Sequence, residues 1–195
     1  MKTARKVLML ILCVALLVSA TVMGTLAYLT SQDTVTNTFS VGNVKIDMDE
    51  TDVDDSTPNK DRDTENAYRL LPGQEYTKDP IITVDPASED AWVFIQVVNE
   101  IADIEADENK VADQIVANGW TELEAGVYYK KVLKTDTDKS LEVFETVTIG
   151  ESVNNTTLAA YEGKTVVVTA YAIQVAGFET DVEGAWDAVY AEYNP

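Results

Sequence analysis

The sequence predicts a mainly β protein, an antiparallel β-sandwich with short helices in its connections and near its C-terminus. Three observations favour this fold class. About seven short runs are rich in β-branched and aromatic residues. Turn residues separate these runs, and only two stretches of the body have the apolar spacing of a helix. Several short strands joined by turns indicate two packed antiparallel sheets.

The N-terminus has the composition of a signal peptide. A basic start precedes an apolar run, residues 7–23, and small residues follow. Thr25 and Ala27 suit the positions that a signal peptidase reads, which predicts cleavage between Ala27 and Tyr28. The apolar run also approaches the length of a membrane-spanning helix, about 17 residues at the least, so an uncleaved anchor is the alternative. The chain is expected to be exported, with the leader as its one contact with the membrane.

The segment after the leader alternates like a strand and is expected to form an arm. Val35, Phe39 and Val41 share one face if the chain is extended. After Gly42 the apolar residues move from odd to even positions, so one straight strand would expose one of the two sets. A bend at this glycine is therefore predicted. The predicted organisation is a leader (1–27), an arm (28–42) and a β-sandwich domain (43–195).

An acidic segment follows the first predicted strand of the body. Residues 47–69 contain many Asp and Glu residues and are expected to form a solvated loop. Clustered oxygen ligands are what calcium binds, so calcium is the one cofactor for which the sequence offers ligands. The candidate ligands are Asp52, Asp54, Asp63, Asp136 and Asp138.

The first three of these aspartates fall at positions 1, 3 and 12 of an EF-hand-like loop. However, Thr57 occupies the position at which that loop has glycine, and no helix is predicted on either side. Asp136 and Asp138 begin a second, partial series. A loop that stays solvated without any metal is the alternative.

The body contains the remaining predicted elements. Strands are predicted at 43–49, 81–84, 91–98, 127–133, 141–149 and 165–175. The run 91–98 is apolar on nearly both faces, which is typical of a central strand. Ala125-Gly126 predicts a hairpin turn. Helical spacing is predicted within 100–118, ending at Asn118-Gly119, and again over 181–193.

Composition excludes several classes of function. Without the leader, 11 basic residues remain against 34 acidic ones, a formal charge of −23. Such a surface repels nucleic acid and anionic lipid. The chain has no histidine, and its one cysteine, Cys13, lies in the leader. Histidine zinc sites, imidazole bases and thiol nucleophiles are therefore excluded, and the protein is not expected to be an enzyme.

Several stretches together resemble the TasA and camelysin family of secreted Gram-positive biofilm matrix proteins. They are the leader junction with AYLTSQDTVTNTFSVGNVKI, then LLPGQEYTKDPIITV, and the later runs GVYYKKVL, LEVFETVTI and VVVTAYAIQVAGFE. The most specific pieces are the elements at 39–42 and 72–78. The resemblance implies a leader cut by a signal peptidase of the endoplasmic-reticulum type. It also implies a jelly-roll-like sandwich that polymerises into extracellular fibres.

In that picture the arm of one subunit adds as a strand to the sheet of the next. Backbone hydrogen bonds would supply affinity, and Val35, Phe39 and Val41 would fill pockets. Camelysin has also been described as a metallopeptidase, but that activity is not carried over because this chain has no histidine to hold zinc.

The resulting expectation is a secreted structural protein, a subunit of extracellular biofilm matrix fibres that assemble head to tail. Its expected partners are other copies of itself, the signal peptidase during export and further matrix components, at the cell surface or in the matrix. One alternative is a monomeric cell-surface adhesin or calcium-dependent binding module, in which the arm folds back on its own subunit. A metallopeptidase ranks last.

Overall fold

The computed structural model describes residues 5–6, 9, 11–13, 43–54 and 61–194. The chain divides into two units, residues 1–40 and 41–195. In the first unit the described residues are helical. In the second unit the described residues form a mainly β structure whose paired strands are all antiparallel.

The elements of the second unit have the following bounds. The strands are β1 (Ile46–Thr51), β2 (Arg62–Asp63), β3 (Glu75–Thr77), β4 (Ile81–Val84), β5 (Ala91–Asn99), β6 (Thr121–Glu124), β7 (Val127–Val132), β8 (Ser140–Glu142), β9 (Thr146–Thr148) and β10 (Val166–Gln174). The α-helices are α1 (Val111–Ala117), α2 (Asn155–Leu158) and α3 (Val182–Tyr193), with 3-10 turns at Ala102–Ile104 and Ala159–Tyr161.

The first sheet has the strand order β2-β1-β4-β8. β1 pairs with β4 from Ile46 to Asp49. β2 pairs only with Glu50 and Thr51, at the far end of β1. Among the described residues, the first part of β1 therefore has no strand on the side away from β4. This matters because an unpaired strand edge offers backbone hydrogen bonds to another strand.

The second sheet has the order β10-β5-β7-β6, so β5 is central as its sequence predicted. β10 pairs with β5 along all nine residues, from Val166 opposite Asn99 to Gln174 opposite Ala91. In the part of the chain that the structure describes, β10 has no partner on its other side. β3 and β9 form a separate two-stranded sheet.

The hairpin between β6 and β7 forms at the predicted Ala125-Gly126 turn. Gly126 has φ 78°, and a Cβ at this position would lie 2.9 Å from the carbonyl oxygen of Val97. A side chain would thus be strained twice, by the left-handed backbone and by the close approach of β5. Glycine is required here, which explains why the turn was recognisable in the sequence.

Both predicted helical segments, 100–118 and 181–193, contain an α-helix that covers a shorter range than predicted. α1 is followed by Asn118 and then by Gly119, which has φ 81° and ends the helix. At the start of α3, the carboxylate of Asp181 accepts a hydrogen bond from the N–H of Gly184 at 2.9 Å. Trp186 of α3 packs with residues of the second sheet, and its Nε1–H donates to Glu124 at 3.0 Å.

The main core takes residues from both four-stranded sheets. Fully buried members include Ile82 and Val84 of β4 and Val93 and Ile95 of β5. Phe144 joins them from the connection between β8 and β9. Burial of each such side chain contributes roughly 1.5–3 kcal/mol, so this shared core holds the second unit together without a disulfide.

Two expectations from the sequence need correction. The run 141–149 is not one strand, because β8 ends at Glu142 and β9 begins at Thr146, and the two pair with different strands, β4 and β3. The chain instead passes from β8 in one sheet to β9 in another.

The acidic segment is also only partly a loop. Its first residues belong to β1, and Arg62–Asp63 return as β2. Glu50 is 5% exposed and Asp63 is 8% exposed. Charged residues are buried here because partners from the same segment and from the body compensate them.

Candidate functional site

A groove of about 1000 Å³ lies beside β1 and β10 in the second unit. Residues 48–50, 64–70 and 162–168 form much of its wall. The groove therefore borders the edge of β10 that faces away from β5 and the part of β1 that, within the described residues, pairs with β4 alone. A groove beside strand edges of this kind is the geometry that accepts an added strand.

Hydrogen bonds at the ends of β10 determine which of its backbone groups face the free edge. The carbonyl of Thr165 and the N–H of Val175 both bond to residues that flank β5. In an antiparallel strand, alternate residues direct their backbone groups to the same side. Odd-numbered residues of β10 therefore face β5. Even-numbered residues, Val166 and Val168 among them, direct N–H and C=O towards the free edge.

Part of the groove lining is apolar, beside polar and charged residues. Its half-buried apolar side chains pack against the main core while remaining partly open to the groove; they are Met48, Leu70, Tyr76, Leu158, Tyr161, Val166 and Val168. Apolar area left open next to a core would gain from further cover, at about 25 cal/mol per Å². An added strand with apolar side chains would supply that cover.

Arg62 fastens the acidic segment to the body at one end of the groove. Its guanidinium donates to Asp49 of β1 at 2.5 Å and to Asp79 at 2.8 Å. Asp79 also accepts the N–H of Thr51 at 2.7 Å. Burial raises the pKa of the Asp79 carboxyl, but the hydrogen bonds from Thr51 and Arg62 outweigh burial, so this pKa lies below its usual range.

A buried polar cluster forms part of the groove wall. Glu50 accepts a hydrogen bond from Nζ of Lys78 at 2.7 Å and another from Nδ2 of Asn66 at 3.1 Å. The side chains of Glu50 and Lys78 are 6% and 14% exposed. Burial, followed by the charge of Glu50, raises the pKa of Tyr68. Its hydroxyl therefore stays protonated and donates to the carbonyl of Thr77 at 2.8 Å.

The structure brings together three of the predicted calcium ligands. Carboxylate oxygens of Asp52, Asp54 and Asp63 lie within 4.8 Å of one another. The same cluster takes part in local structure, since Asp54 accepts the N–H of Ala67 at 2.7 Å. Calcium takes 6–8 oxygen ligands, so these three carboxylates fit part of a coordination sphere.

The other two predicted calcium ligands lie elsewhere and close turns. Asp136 accepts the N–H of Leu133 at 2.8 Å, and Asp138 accepts the N–H of Ser140 at 2.9 Å. Neither belongs to the one group of clustered acidic ligands found among the described residues. Their spacing reflects turn formation, because an Asp carboxylate readily bonds a backbone N–H two or three residues away.

Five predicted site residues lie outside the described part of the chain. They are Ala27 and Tyr28 at the predicted cleavage site and Val35, Phe39 and Val41 of the arm. The arm and the cleavage site therefore remain predictions.

Sequence reasoning missed the polar cluster of the groove wall. One signal was available in the alternation of the first strand. Glu50 shares a strand face with two apolar residues, Ile46 and Met48, so it is an acid on an apolar face. Such an acid is expected to have a buried partner. The identity of that partner, Lys78, could not be read from the sequence because 28 positions separate the two residues.

Comparison with known proteins adds no family: no family model matches the chain, and neither a curated protein nor a solved structure matches it. None of the helices described here combines the length and the apolar character needed to cross a bilayer.

Proposed function

We propose that this protein is a secreted structural protein, a subunit of extracellular biofilm matrix fibres that assemble by strand addition. The arm of one copy, residues 28–42, enters the groove of the next copy and pairs with the free edge of β10. The observation that carries the proposal is the partly apolar groove beside edges of β1 and β10 that have no strand partner in the part of the chain that the structure describes.

The chemistry of the arm matches the groove. Asp33 is the one charged side chain in the arm, so insertion requires little desolvation of charge. Extended, the arm spans roughly 50 Å, whereas the nine residues of β10 span roughly 30 Å. The arm is therefore long enough to pair along the whole free edge. Val35, Phe39 and Val41 would then cover the half-buried apolar side chains of the groove.

The residues that directly follow the arm are fixed to the body. Two hydrogen bonds attach these residues to the turn after β4. The carbonyl of Asn43 accepts the N–H of Glu89 at 3.3 Å, and the N–H of Lys45 donates to the Ser88 hydroxyl at 3.0 Å. The arm thus begins at a fixed position. A contact in which each copy gives an arm and receives another is head to tail, so it extends into a filament instead of closing.

The proposal includes the finer fold expectation. The two four-stranded sheets share one core, which supports a jelly-roll-like sandwich arrangement. In such a sandwich the added strand would extend one sheet at its β10 edge. The proposed role requires no catalytic activity.

A backbone-specific variant tests the proposal. Val168→Pro removes an N–H that faces the free edge and leaves the pairing of β10 with β5 intact. Val168→Ala trims the same side chain but keeps that N–H, so it is the matched control. We expect filaments in electron microscopy from mature wild-type protein and from Val168→Ala, and none from Val168→Pro, with circular dichroism showing that all three are folded.

A second experiment tests whether the arm binds the body and whether that binding holds the filament together. A body that lacks residues 28–41 is mixed with a synthetic peptide of those residues. Binding of the peptide, and loss of filaments when the peptide is added to wild-type protein, are expected. Wild-type protein that stays monomeric at every salt concentration and pH would contradict the fibre proposal and favour a monomeric surface domain.

The second candidate function is a calcium-dependent binding module. The specific observation in its favour is the close approach of the carboxylates of Asp52, Asp54 and Asp63. Calcium bound there would fix the acidic segment against the end of β1, next to the groove. Calorimetric titration with calcium, before and after chelation, tests this candidate independently of fibre formation.

A further inference from the structure

The cluster of Glu50, Lys78 and Asn66 contains the groups needed to form a covalent crosslink. One carboxylate holds a primary amine on one oxygen and a carboxamide on the other, at 2.7 Å from Lys78 and 3.1 Å from Asn66. An amine is a nucleophile once it loses its proton, and a carboxamide carbon is an electrophile. A carboxylate between them can move a proton from one nitrogen to the other.

Two backbone groups fix the orientation of the Asn66 amide. Its Nδ2 donates to the carbonyl of Thr51 at 2.8 Å, and its Oδ1 accepts the N–H of Val53 at 2.8 Å. Exchanging the oxygen and the nitrogen would break both bonds, so the assignment is secure. The N–H of Val53 also stands where negative charge would develop if Cγ were attacked, which is the role of an oxyanion donor.

The pair formed by Glu50 and Lys78 is largely shielded from water. The side chains of Glu50 and Lys78 are 6% and 14% exposed, which makes this the least exposed ion pair among the described residues. The amine and the carboxamide bind the two oxygens of one carboxylate, so both reacting groups are held at the same side chain and no bimolecular encounter is needed.

We propose that Nζ of Lys78 attacks Cγ of Asn66 and forms an isopeptide crosslink within the subunit. The Nζ–Cγ bond forms and the Cγ–Nδ2 bond breaks. Glu50 takes one proton from the Lys78 ammonium and passes it to the leaving nitrogen. Nζ gives up a second proton after the attack, which Glu50 transfers in the same way, so the nitrogen departs as ammonium. Nothing is oxidised or reduced and no cofactor takes part. Every reacting atom belongs to the folded chain.

The crosslink fixes the acidic segment to the body. Asn66 follows β2 and Lys78 follows β3, so the bond would join these two connections of the groove wall beside β1. The body has no cysteine, since Cys13 is the one cysteine of the chain. An isopeptide bond gives an exported domain a covalent fastening that needs no oxidising conditions. The inference concerns one subunit and is independent of fibre formation.

Mass spectrometry of the purified, folded protein tests the proposal. We expect an intact mass lower than that of the sequence by one ammonia molecule. After denaturation and trypsin digestion, the peptide 63–69 is expected to remain joined to the peptide 70–110, because trypsin does not cleave at a modified Lys78. Glu50→Gln and Lys78→Arg are expected to show the full mass of their own sequences and to give separate peptides 63–69 and 70–78, because trypsin then cleaves after position 78.

A matched control and the contrary outcomes complete the test. Lys164→Arg alters another lysine of the groove wall, one that pairs with Glu100 on the surface, and is expected to keep both the lower mass and the joined peptides. Wild-type protein with the full sequence mass would overturn the proposal, even if the variants fold poorly. Ammonia loss confined to peptide 63–69, with Lys78 cleaved normally, would identify a succinimide and overturn it too. Loss of water instead would place the bond on a carboxyl group such as Asp63 and would equally contradict it.

Discussion

The guanidinium of Arg62 lies 2.8 Å from the carboxylate of Asp79 and bridges it to Asp49 of β1. Arg62 belongs to the acidic segment, whereas Asp79 lies two positions before the start of β4. One basic residue thus holds a strongly acidic segment against the first sheet. A bridge that uses several donors of a planar guanidinium is among the stronger kinds of charged hydrogen bonding.

The first prediction concerns the pH dependence that Asp79 gives to stability. Its pKa in the folded protein lies below the ordinary 3.8. The ionised carboxylate therefore stabilises the fold above pH 3.8, and this contribution is lost as the pH falls through the lowered pKa. At neutral pH, Asp79→Asn is expected to lower the free energy of unfolding by roughly 2 kcal/mol, the contribution of a charge-assisted hydrogen bond. Urea unfolding at a series of pH values should show wild type and variant converging in acid.

Glu105 supplies a control of opposite sign. Burial raises its pKa above the ordinary 4.5, and the hydrogen bond from Asn99 only partly opposes this. The folded protein therefore binds this proton more tightly than the unfolded chain does. Relative to Glu105→Gln, wild type should gain stability as the pH falls through the raised pKa. The difference in unfolding free energy between wild type and variant should change with pH in opposite directions for Asp79→Asn and Glu105→Gln. A change in the same direction would contradict one of the two pKa shifts.

The second prediction concerns the buried partner of Glu50. Lys78→Met leaves the carboxyl of Glu50 buried without the partner that Lys78 provides, whether as an ion pair or through the proposed crosslink. The free energy of unfolding is expected to fall by roughly 3–5 kcal/mol. Lys164→Met is the control, because its ion pair with Glu100 is far more exposed and should contribute at most about 1 kcal/mol. Chemical denaturation measures both, and equal losses would show that burial at Glu50 is not decisive.

The third prediction concerns the hairpin glycine. Gly126→Ala is expected to cost more than the roughly 1–2 kcal/mol of a left-handed backbone, because the new Cβ meets the Val97 carbonyl at 2.9 Å. Gly163 has a similar φ of 75° with nothing within 4 Å of such a Cβ. Gly163→Ala should therefore show the backbone cost alone. Urea midpoints of the two variants report the difference, and similar midpoints would mean that β5 moves away freely.

The fourth prediction follows from the calcium candidate. If Asp52, Asp54 and Asp63 hold calcium, the ion at about 100 times its Kd should raise the free energy of unfolding by about 2.7 kcal/mol. Asp54→Asn should abolish that gain, whereas Asp138→Asn should keep it because Asp138 closes a separate turn. Thermal unfolding with calcium and with chelator measures the effect. A gain that survives Asp54→Asn would place calcium elsewhere.

The sequence allowed much of the fold to be predicted where local signals agree. Ile81–Val84 has the predicted bounds, and β5 was predicted as central because its residues are apolar on nearly both faces. Gly126 identified the hairpin because its positive φ suits few other residues. The break at Val143 and Phe144 was missed, since a run of apolar residues does not reveal whether one sheet or two receive it.

The candidate site was predictable only in part, for the same reason. Asp52, Asp54 and Asp63 were recognised by spacing within one segment, and the structure brings them together. The spacing of Asp136 and Asp138 was similar but produced turns instead. Identical residue types gave different outcomes because only the path of the chain brings Asp63 back to β1.

The amino-acid sequence by itself determined the β-rich character of this chain, its turn positions, its acidity and the absence of histidine. These properties depend on neighbouring residues or on composition. Tertiary structure alone decided that Lys78 and Asn66 meet at Glu50 and that the edges of β1 and β10 border one groove. Such contacts join positions far apart in the chain, and they arise from the packing of whole sheets, which no local pattern specifies.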